Sequence, residues 1–140
     1  RRDWAAGDTV RLSLPMPVRY VEAHPQVTED QGHIAVLRGP LLYCMEQVDN
    51  PGIDPQDVLL PAEPSAFTVI EASGLTGVAA LKGEGAIEPA GDAWEGALYR
   101  TVGKAAEPPA MPTSLTLVPY YAWANREAGR MQVWLRRSAD

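Results

Sequence analysis

Cysteine and histidine are both scarce in this sequence of 140 residues. Cys44 is the single cysteine, so an internal disulfide and a zinc module built on several cysteines are excluded. His24 and His33 are the two histidines, and neither lies in a nucleophile elbow or a related hydrolase motif. A catalytic triad is therefore not expected. The compartment stays open, with the low cysteine content favouring the cytoplasm.

Long apolar runs and blocks of positive charge are also missing. No stretch reaches the roughly 18 consecutive apolar residues that a membrane helix needs, and no apolar region follows the charges of Arg1 and Arg2. We expect neither a membrane span nor a signal peptide. The chain has 12 Lys and Arg against 18 Asp and Glu, with no long basic block, which argues against a nucleic-acid partner. Because the first residue is not Met, we expect a part of a longer protein.

Proline and glycine are abundant instead, and they divide the chain into short segments. Thirteen prolines and twelve glycines favour brief strands and turns over long helices. The clearest strand is predicted at 9–16, where Val10, Leu12, Leu14 and Met16 alternate with polar residues or proline. We predict an all-β fold, an antiparallel two-sheet β-sandwich of jelly-roll type with eight or nine short strands.

Further strands are predicted along the rest of the chain. The strand predicted at 41–47 is apolar on both faces, so we expect it at the centre of a layered fold. Two stretches rich in glycine, acidic residues or proline, 83–96 and 103–112, are predicted as exposed loops. The remaining predicted strands are 18–23, 33–38, 57–60, 66–72, 74–82, 97–102, 114–123 and 131–136.

The residue types allow two kinds of reactive site to be considered. Glycosidases use a pair of carboxylates, but the acidic pairs of this chain fall in predicted loops, where charge usually serves solubility. A metal set of His24, His33, Cys44 and Glu46 is conceivable, although its spacing resembles no tight ligand pair. Cys44 is instead predicted to be a small core residue of its apolar strand. We predict no catalytic, cofactor-binding or metal-binding residue in this chain.

The most aromatic segment is 119–126, which reads PYYAWANR. If it is a strand, Tyr121, Trp123 and Asn125 share a face that could stack against a sugar ring. The alternative, which we prefer, is that these rings pack in the core or cover a neighbouring domain, because large aromatic side chains mostly serve burial. Tyr121, Trp123, Asn125 and Arg126 are thus the predicted contact residues, for a sugar or for a domain. Trp4 is a further candidate anchor.

Three blocks of the sequence, taken in order, resemble one known family. They are WAAGDTVRLSLPMPVR at 4–19, AVLRGPLLYC at 35–44, and PYYAWANR at 119–126 with MQVWL at 131–135. Together they are similar to the C-terminal region of glycoside hydrolase family 127, formerly a domain of unknown function. That family includes β-L-arabinofuranosidases. The blocks extend over nearly the whole chain.

The resemblance implies a parent protein in which a catalytic (α/α)6 barrel is followed by β-sandwich domains. It also implies a zinc centre in that barrel, with a Glu-x-Cys motif and a Cys-Cys pair, one thiolate of which is the nucleophile. The stretch Cys44-Met45-Glu46 has the reverse order and lacks a second cysteine, so no catalytic or metal residue of the family is carried over. We predict that residues 1–23 belong to the end of the middle sandwich and residues 24–140 to the C-terminal sandwich.

The functional prediction that results is a non-catalytic accessory domain. Its expected partner is the catalytic barrel of the parent, which this chain does not contain, and no cofactor is expected in the domain itself. A carbohydrate-binding module that uses the aromatic segment is a second hypothesis. A subunit-association domain, which would form homo-oligomers, is a third.

Overall fold

The computed structural model describes residues 3–64, 67–88, 97–99, 101 and 109–138. This part of the chain is all-β, with nine strands and short 3-10 turns at Thr28–Asp30, Gln47–Asp49, Pro55–Asp57 and Tyr120–Ala122. Among the described residues, no helix has the length and apolar character needed to cross a membrane. The strands are β1 (Val18–Glu22), β2 (His33–Arg38), β3 (Leu41–Glu46), β4 (Val58–Leu60), β5 (Thr68–Glu71), β6 (Ala79–Ile87), β7 (Met111–Pro119), β8 (Met131–Gln132) and β9 (Leu135–Arg137).

Six of these strands close into a barrel in the order β2, β9, β4, β6, β7, β3, and β3 pairs back with β2. β1, β5 and β8 extend the barrel by pairing with β2, β6 and β3. β4 runs parallel to β9, with Leu59 opposite Arg136, while the other pairs are antiparallel. The predicted antiparallel two-sheet sandwich is therefore wrong. Alternation of apolar and polar residues shows that a strand has one buried face, and sandwiches and barrels share that property.

The strand predicted at 9–16 is also wrong. Residues 9–16 form no strand ladder within the part of the chain that the structure describes, and Val10, Leu12 and Leu14 are largely exposed to solvent. Alternation makes a segment suitable for a sheet, but a strand also needs a neighbour to pair with. β1 takes up the sheet only at Val18, after Pro15 and Pro17.

The predicted loop at 83–96 is corrected over its first residues, because β6 continues to Ile87. A Cβ atom at Gly83 would overlap the Phe67 ring, and one at Gly85 would lie 2.5 Å from Leu115 Cδ1. These glycines therefore mark close packing in a strand rather than a loop. Of the predicted strand 97–102, the described residues 97–99 and 101 form none; the other two, and most of the predicted loop 103–112, lie outside the described residues.

β3 is buried on both faces, as predicted, and it separates two apolar clusters. Tyr43 and Met45 point into the barrel, where they pack with a set of leucines and other apolar residues from β4, β6, β7 and β9. Cys44 points to the outer side and packs with Val118 and Ala80. The Tyr43 hydroxyl donates a hydrogen bond of 2.9 Å to the carbonyl of Ala79, which satisfies its polar end.

Candidate functional site

Three charged residues form a buried cluster at the end of β3, which we call the charge cluster: Glu46, Asp49 and Arg126. Arg126 Nη2 lies 2.6 Å from Glu46 Oε2 and 2.5 Å from Asp49 Oδ2, and Nη1 lies 2.6 Å from Asp49 Oδ1. The three side chains are only 10%, 6% and 4% exposed, in the order Arg126, Glu46, Asp49. The paired contact of the guanidinium with Asp49 is the fork geometry that makes arginine–carboxylate bonds strong.

The Nη1 and Nη2 donors of Arg126 are bonded within the protein. Nη1 also donates to the carbonyl of Ser73 at 2.9 Å, and Nε is buried without a hydrogen-bond partner among the described residues. The hydrogen bonds that Arg126 donates to Asp49 raise the pKa of Arg126 above its usual value, while burial opposes the rise and Glu46 adds to it. Arg126 is thus a fixed cation that holds two carboxylates, and it presents no free fork to an external ligand.

The charge cluster also fixes the segment that follows β7, which we call the aromatic turn: residues 119–125. Glu46 Oε1 accepts a hydrogen bond of 2.9 Å from the amide of Ala124, and Ala124 has a positive φ of 58°. The Asn125 side chain donates to the carbonyls of Ala122 at 3.0 Å and Trp123 at 3.3 Å. Side-chain bonds to main-chain groups therefore hold the turn in one conformation.

The rings of the aromatic turn face outward. Tyr121 is 64% exposed and Trp123 is 38% exposed, and Tyr120 is exposed beside them. The ring centres of Tyr120 and Trp123 lie 6.3 Å apart at an angle of 35°. The turn thus presents three aromatic rings at the surface, and the buried Glu46 carboxylate fixes its backbone through the bond to Ala124.

The structure separates the four predicted contact residues into two groups. Tyr121 and Trp123 are at the surface, but they do not share a strand face, because Tyr120–Ala122 is a 3-10 turn and β7 ends at Pro119. Asn125 directs its amide to the main chain of its own turn. Arg126 lies in the charge cluster. The alternative in which Tyr121, Trp123 and Asn125 share one face of a strand therefore does not hold, because no strand runs through these residues.

Glu46, Asp49 and their neighbour Asn50 were not predicted as site residues. Asn50 Nδ2 donates to the carbonyls of Glu46 and Thr116, both at 2.8 Å, and Oδ1 accepts from the Thr116 amide at 2.9 Å. One sequence signal did point here: an acidic residue ends a strand that is apolar on both faces, and a buried carboxylate requires a cation. The sequence does not show which cation this is, because Arg126 follows Glu46 only after 80 residues.

Cys44 occupies the core position that the sequence predicts. It is 1% exposed, and its thiol donates to the carbonyl of Val118 at 3.6 Å. Burial, with a smaller contribution from the nearby Glu46 and Asp49 carboxylates, raises the pKa of this thiol to about 12. Such a thiol is protonated at neutral pH and is not a nucleophile. Within the described residues, no three His, Cys, Asp or Glu side chains group as metal ligands do.

A surface hollow of about 250 Å³ is lined by residues of β4 and β6, and its described lining contains no residue of the aromatic turn. Its lining includes Leu59, Pro61 and Ala86, and Glu84 is the carboxylate among its described residues. Glycosidases use two carboxylates on either side of the sugar bond. This hollow therefore does not supply the pair.

Comparison with known proteins shows which family the chain belongs to. Residues 18–136 match the sequence model of the glycoside hydrolase family 127 C-terminal domain, so the chain belongs to that family. The resemblance stated from the sequence is thereby confirmed. The family is one of glycoside hydrolases, and the matched part is the C-terminal domain.

Individual relatives agree with this assignment. The chain is 44% identical over 139 residues to a non-reducing end β-L-arabinofuranosidase of Bifidobacterium longum subsp. longum, covering 94% of the chain and 20% of that protein. A family 127 β-L-arabinofuranosidase from Geobacillus stearothermophilus T6 has a similar structure, with a TM-score of 0.74 and 37% identity, over 89% of this chain and 19% of that one. Another family 127 β-arabinofuranosidase has a TM-score of 0.67 and 32% sequence identity, over 88% of this chain and 17% of that one. The chain spans about one fifth of the length of these relatives.

Proposed function

We propose that this domain is a non-catalytic accessory domain of a larger family 127 glycoside hydrolase of the β-L-arabinofuranosidase type. The observation that carries the proposal is its extent: it matches a C-terminal domain and spans about one fifth of its relatives. The domain would support a catalytic barrel elsewhere in the parent. The zinc and thiolate chemistry of the family would belong to that barrel.

The surroundings of Cys44 support this assignment. A thiol-using hydrolase needs a thiolate within reach of the sugar, whereas the Cys44 thiol is buried behind β7 and has a pKa of about 12. The carboxylates nearest to it, Glu46 and Asp49, are both held by Arg126. The thiol and these two carboxylates are therefore occupied in contacts within the domain.

The test is the activity of the isolated chain on an aryl β-L-arabinofuranoside, with zinc and a thiol added. We expect no release of the aryl group above the rate without protein, while the full-length parent under the same conditions hydrolyses the substrate. Turnover by the isolated chain that is lost in Cys44→Ala would overturn the proposal. The folded state of each sample is checked by its near-ultraviolet circular dichroism.

The exposed rings of the aromatic turn suggest where the domain contacts other groups. Tyr120, Tyr121 and Trp123 combine apolar area with polar edges on a rigid turn, a composition common in the centres of protein interfaces. We therefore assign the turn to contact with the rest of the parent. The same rings also favour a second candidate function, stacking on a sugar, because Tyr121 is well exposed.

Calorimetry with arabinose-containing oligosaccharides separates these two roles of the turn. Domain contact predicts no heat of binding in the isolated chain and a lower thermal midpoint of the parent for Trp123→Ala. Sugar binding predicts saturable heat that Trp123→Ala removes while the domain stays folded. Asn125 counts against the second role, because its amide is already bonded within the turn.

A further inference from the structure

Arg38 stands at one mouth of the barrel, at the end of β2. Val36 lies opposite Tyr43 and Arg38 lies opposite Leu41, so Arg38 shares the barrel-facing side of β2 with Val36. Val36 and Tyr43 are buried in the core, whereas Arg38, nearer the turn between β2 and β3, is half-buried. The fold therefore directs the Arg38 side chain to the rim of the barrel interior.

The Tyr43 hydroxyl orients the Arg38 guanidinium. This hydroxyl donates its proton to the carbonyl of Ala79 at 2.9 Å, so its oxygen remains an acceptor for a second group. Burial raises the pKa of Tyr43, while the hydrogen bond and the charge of Arg38 lower it, which places the guanidinium beside this oxygen. Because a guanidinium has several N–H donors in a rigid fork, a contact with Tyr43 orients Arg38 and leaves other donors for a further acceptor.

Arg38 differs from Arg126 in having no carboxylate partner. Arg126 binds two carboxylates, whereas Arg38 forms no ion pair within the part of the chain that the structure describes. Arg19, whose Nη2 donates to the carbonyl of Gly39 at 3.4 Å in the adjoining turn, forms none there either. Acidic residues outnumber basic ones in this chain by 18 to 12. A half-buried arginine without a carboxylate is therefore a position at which an external anion is favoured.

Tyr121 supplies an aromatic ring at the same mouth. Side chains three residues apart in a 3-10 turn lie on one side, and the ring centres of Tyr120 and Trp123 are accordingly 6.3 Å apart. Tyr121 comes between them in the sequence and so points away from that pair. It acts electrostatically on the Tyr43 hydroxyl, as Arg38 does, and its ring is exposed. The mouth thus combines an arginine fork with an open aromatic ring.

We propose that Arg38, Tyr43 and Tyr121 form a binding site for a sugar ring that carries a carboxylate, such as a hexuronic acid unit of an acidic oligosaccharide. The Arg38 fork binds the carboxylate, the Tyr121 ring stacks on the sugar ring, and the Tyr43 oxygen holds the fork in place. This site goes beyond the proposed function, because the accessory role requires no ligand. It assigns Tyr121 to the ligand and leaves Tyr120 and Trp123 to the contact with the parent.

Titration of the chain with methyl β-D-glucuronide tests the site, followed in proton–nitrogen NMR spectra of the backbone amides and the Arg38 Nε–H group. Methyl β-D-glucoside has a hydroxymethyl group in place of the carboxylate, and acetate has no ring. We expect saturable shifts at the β2–β3 turn and the aromatic turn with the glucuronide. Each partial ligand should bind at least about 3-fold more weakly, and the glucoside about 10-fold, because a hydrogen bond to a charged group contributes that much.

Matched substitutions assign the binding to the fork and the ring. Arg38→Lys keeps the positive charge but removes the fork, and should weaken glucuronide binding by about 10-fold. Arg19→Lys makes the same change beside the same β2–β3 turn and should leave binding unchanged. Tyr121→Ala should weaken binding by about 3-fold or more, whereas Tyr121→Phe, which keeps the ring, should not. Near-ultraviolet circular dichroism verifies that each variant is folded, and Tyr121 lies at the surface, where its replacement spares the core.

Four results would overturn the proposal. Acetate that binds as tightly as the glucuronide would show a site for anions in general, and equal binding of the glucoside would show stacking on neutral sugars. Equal losses for Arg38→Lys and Arg19→Lys would show that the fork of Arg38 has no special part. The absence of saturable shifts with the glucuronide would mean that no site exists. The accessory role is judged separately, by hydrolysis, so each proposal can fail while the other stands.

Discussion

The charge cluster and residues 9–16, which we call the N-terminal segment, depart from the usual distribution of residues in opposite directions. Glu46, Asp49 and Arg126 are charged and buried, whereas Val10 and Leu12 are apolar and exposed. Charged side chains are almost never fully buried unless they are paired. The charge cluster meets that condition within the domain, since each carboxylate lies within 2.6 Å of the guanidinium.

The N-terminal segment meets no such condition among the described residues. Its apolar side chains have no core to enter, and its main chain has no ladder. The difference teaches how to distinguish two meanings of an unusual residue. A buried charge with its partners in the same domain serves the fold, while an exposed apolar segment adds nothing to the core of the domain that carries it.

The largest expected effect follows from removing the cation of the charge cluster. Arg126→Met leaves Glu46 and Asp49 buried without a counter-charge, and breaking a buried pair in this way typically costs about 3–5 kcal/mol. We expect urea unfolding to show a loss of that size in the free energy of unfolding. Arg130→Met is the matched control, because Arg130 pairs with Asp54 at the surface. An exposed pair contributes about 1 kcal/mol or less, so equal losses in the two variants would contradict the role of burial.

The next effect compares one substitution in both regions. Leu117 is fully buried in the barrel, and Leu12 is 77% exposed. Leu117→Ala should lower the free energy of unfolding by about 2–5 kcal/mol, through lost burial and a residual cavity. Leu12→Ala should change it by less than about 0.5 kcal/mol, as exposed substitutions usually do. A large loss for Leu12→Ala, measured in the same urea titration, would show that the N-terminal segment packs on the barrel.

The two regions also show how much of the fold can be predicted from the sequence. The apolar residues of β2 and β3 predicted strands that the structure contains, because their neighbours lie in the same chain. The alternation in the N-terminal segment predicted a strand that is absent from the described residues, because pairing depends on what lies beside it. The barrel closes through pairs such as Ile34 with Leu135, about 100 residues apart, and no local pattern encodes such a contact.

Only one member of the charge cluster, Arg126, was predicted from the sequence, for the same reason. Arg126 was predicted as a contact residue from the aromatic block around it, but its partners Glu46 and Asp49 lie some 80 residues earlier. The exposure of Tyr121 was likewise open, since a run of aromatic residues is compatible with a strand and with a turn. Pro119 ends β7 and starts the turn, and this decides which side chains reach the surface.

A third effect concerns the thiol that lies beside the charge cluster. The pKa of Cys44 is raised by burial from 9.0 to about 12 in the folded state. Between these two values the unfolded chain binds fewer protons, so the free energy of unfolding falls as pH rises, by at most about 1.4 kcal/mol per pH unit. Below pH 9 the contribution is fully present. Urea titrations from pH 8 to 11 should show this decline, with a smaller slope in Cys44→Ala; equal slopes would contradict it.

Reactivity of the thiol sharpens the same comparison. Dithionitrobenzoate at pH 8 should modify Cys44 only as fast as the domain unfolds, because the thiol is buried and protonated. A cysteine introduced into the N-terminal segment by Ser13→Cys, in the Cys44→Ala background, should react as a free thiol does. Rapid modification of Cys44 in the folded domain would mean that the apolar cluster of Cys44, Ala80 and Val118 opens without global unfolding.

The smallest expected effect concerns backbone strain in the two regions. Ala124 has a φ of 58° and is held there by its bond to Glu46, a conformation that costs an alanine roughly 1–2 kcal/mol. Ala124→Gly relieves this strain but makes the unfolded chain more flexible, so we expect a gain of at most about 1 kcal/mol in the free energy of unfolding. Gly7→Ala adds comparable strain to the turn before the N-terminal segment, where the position of a Cβ is open. That turn can open without disturbing the barrel, so the unfolding midpoint should stay the same. A lower midpoint for Gly7→Ala would show that the N-terminal segment is coupled to the barrel even in the isolated chain.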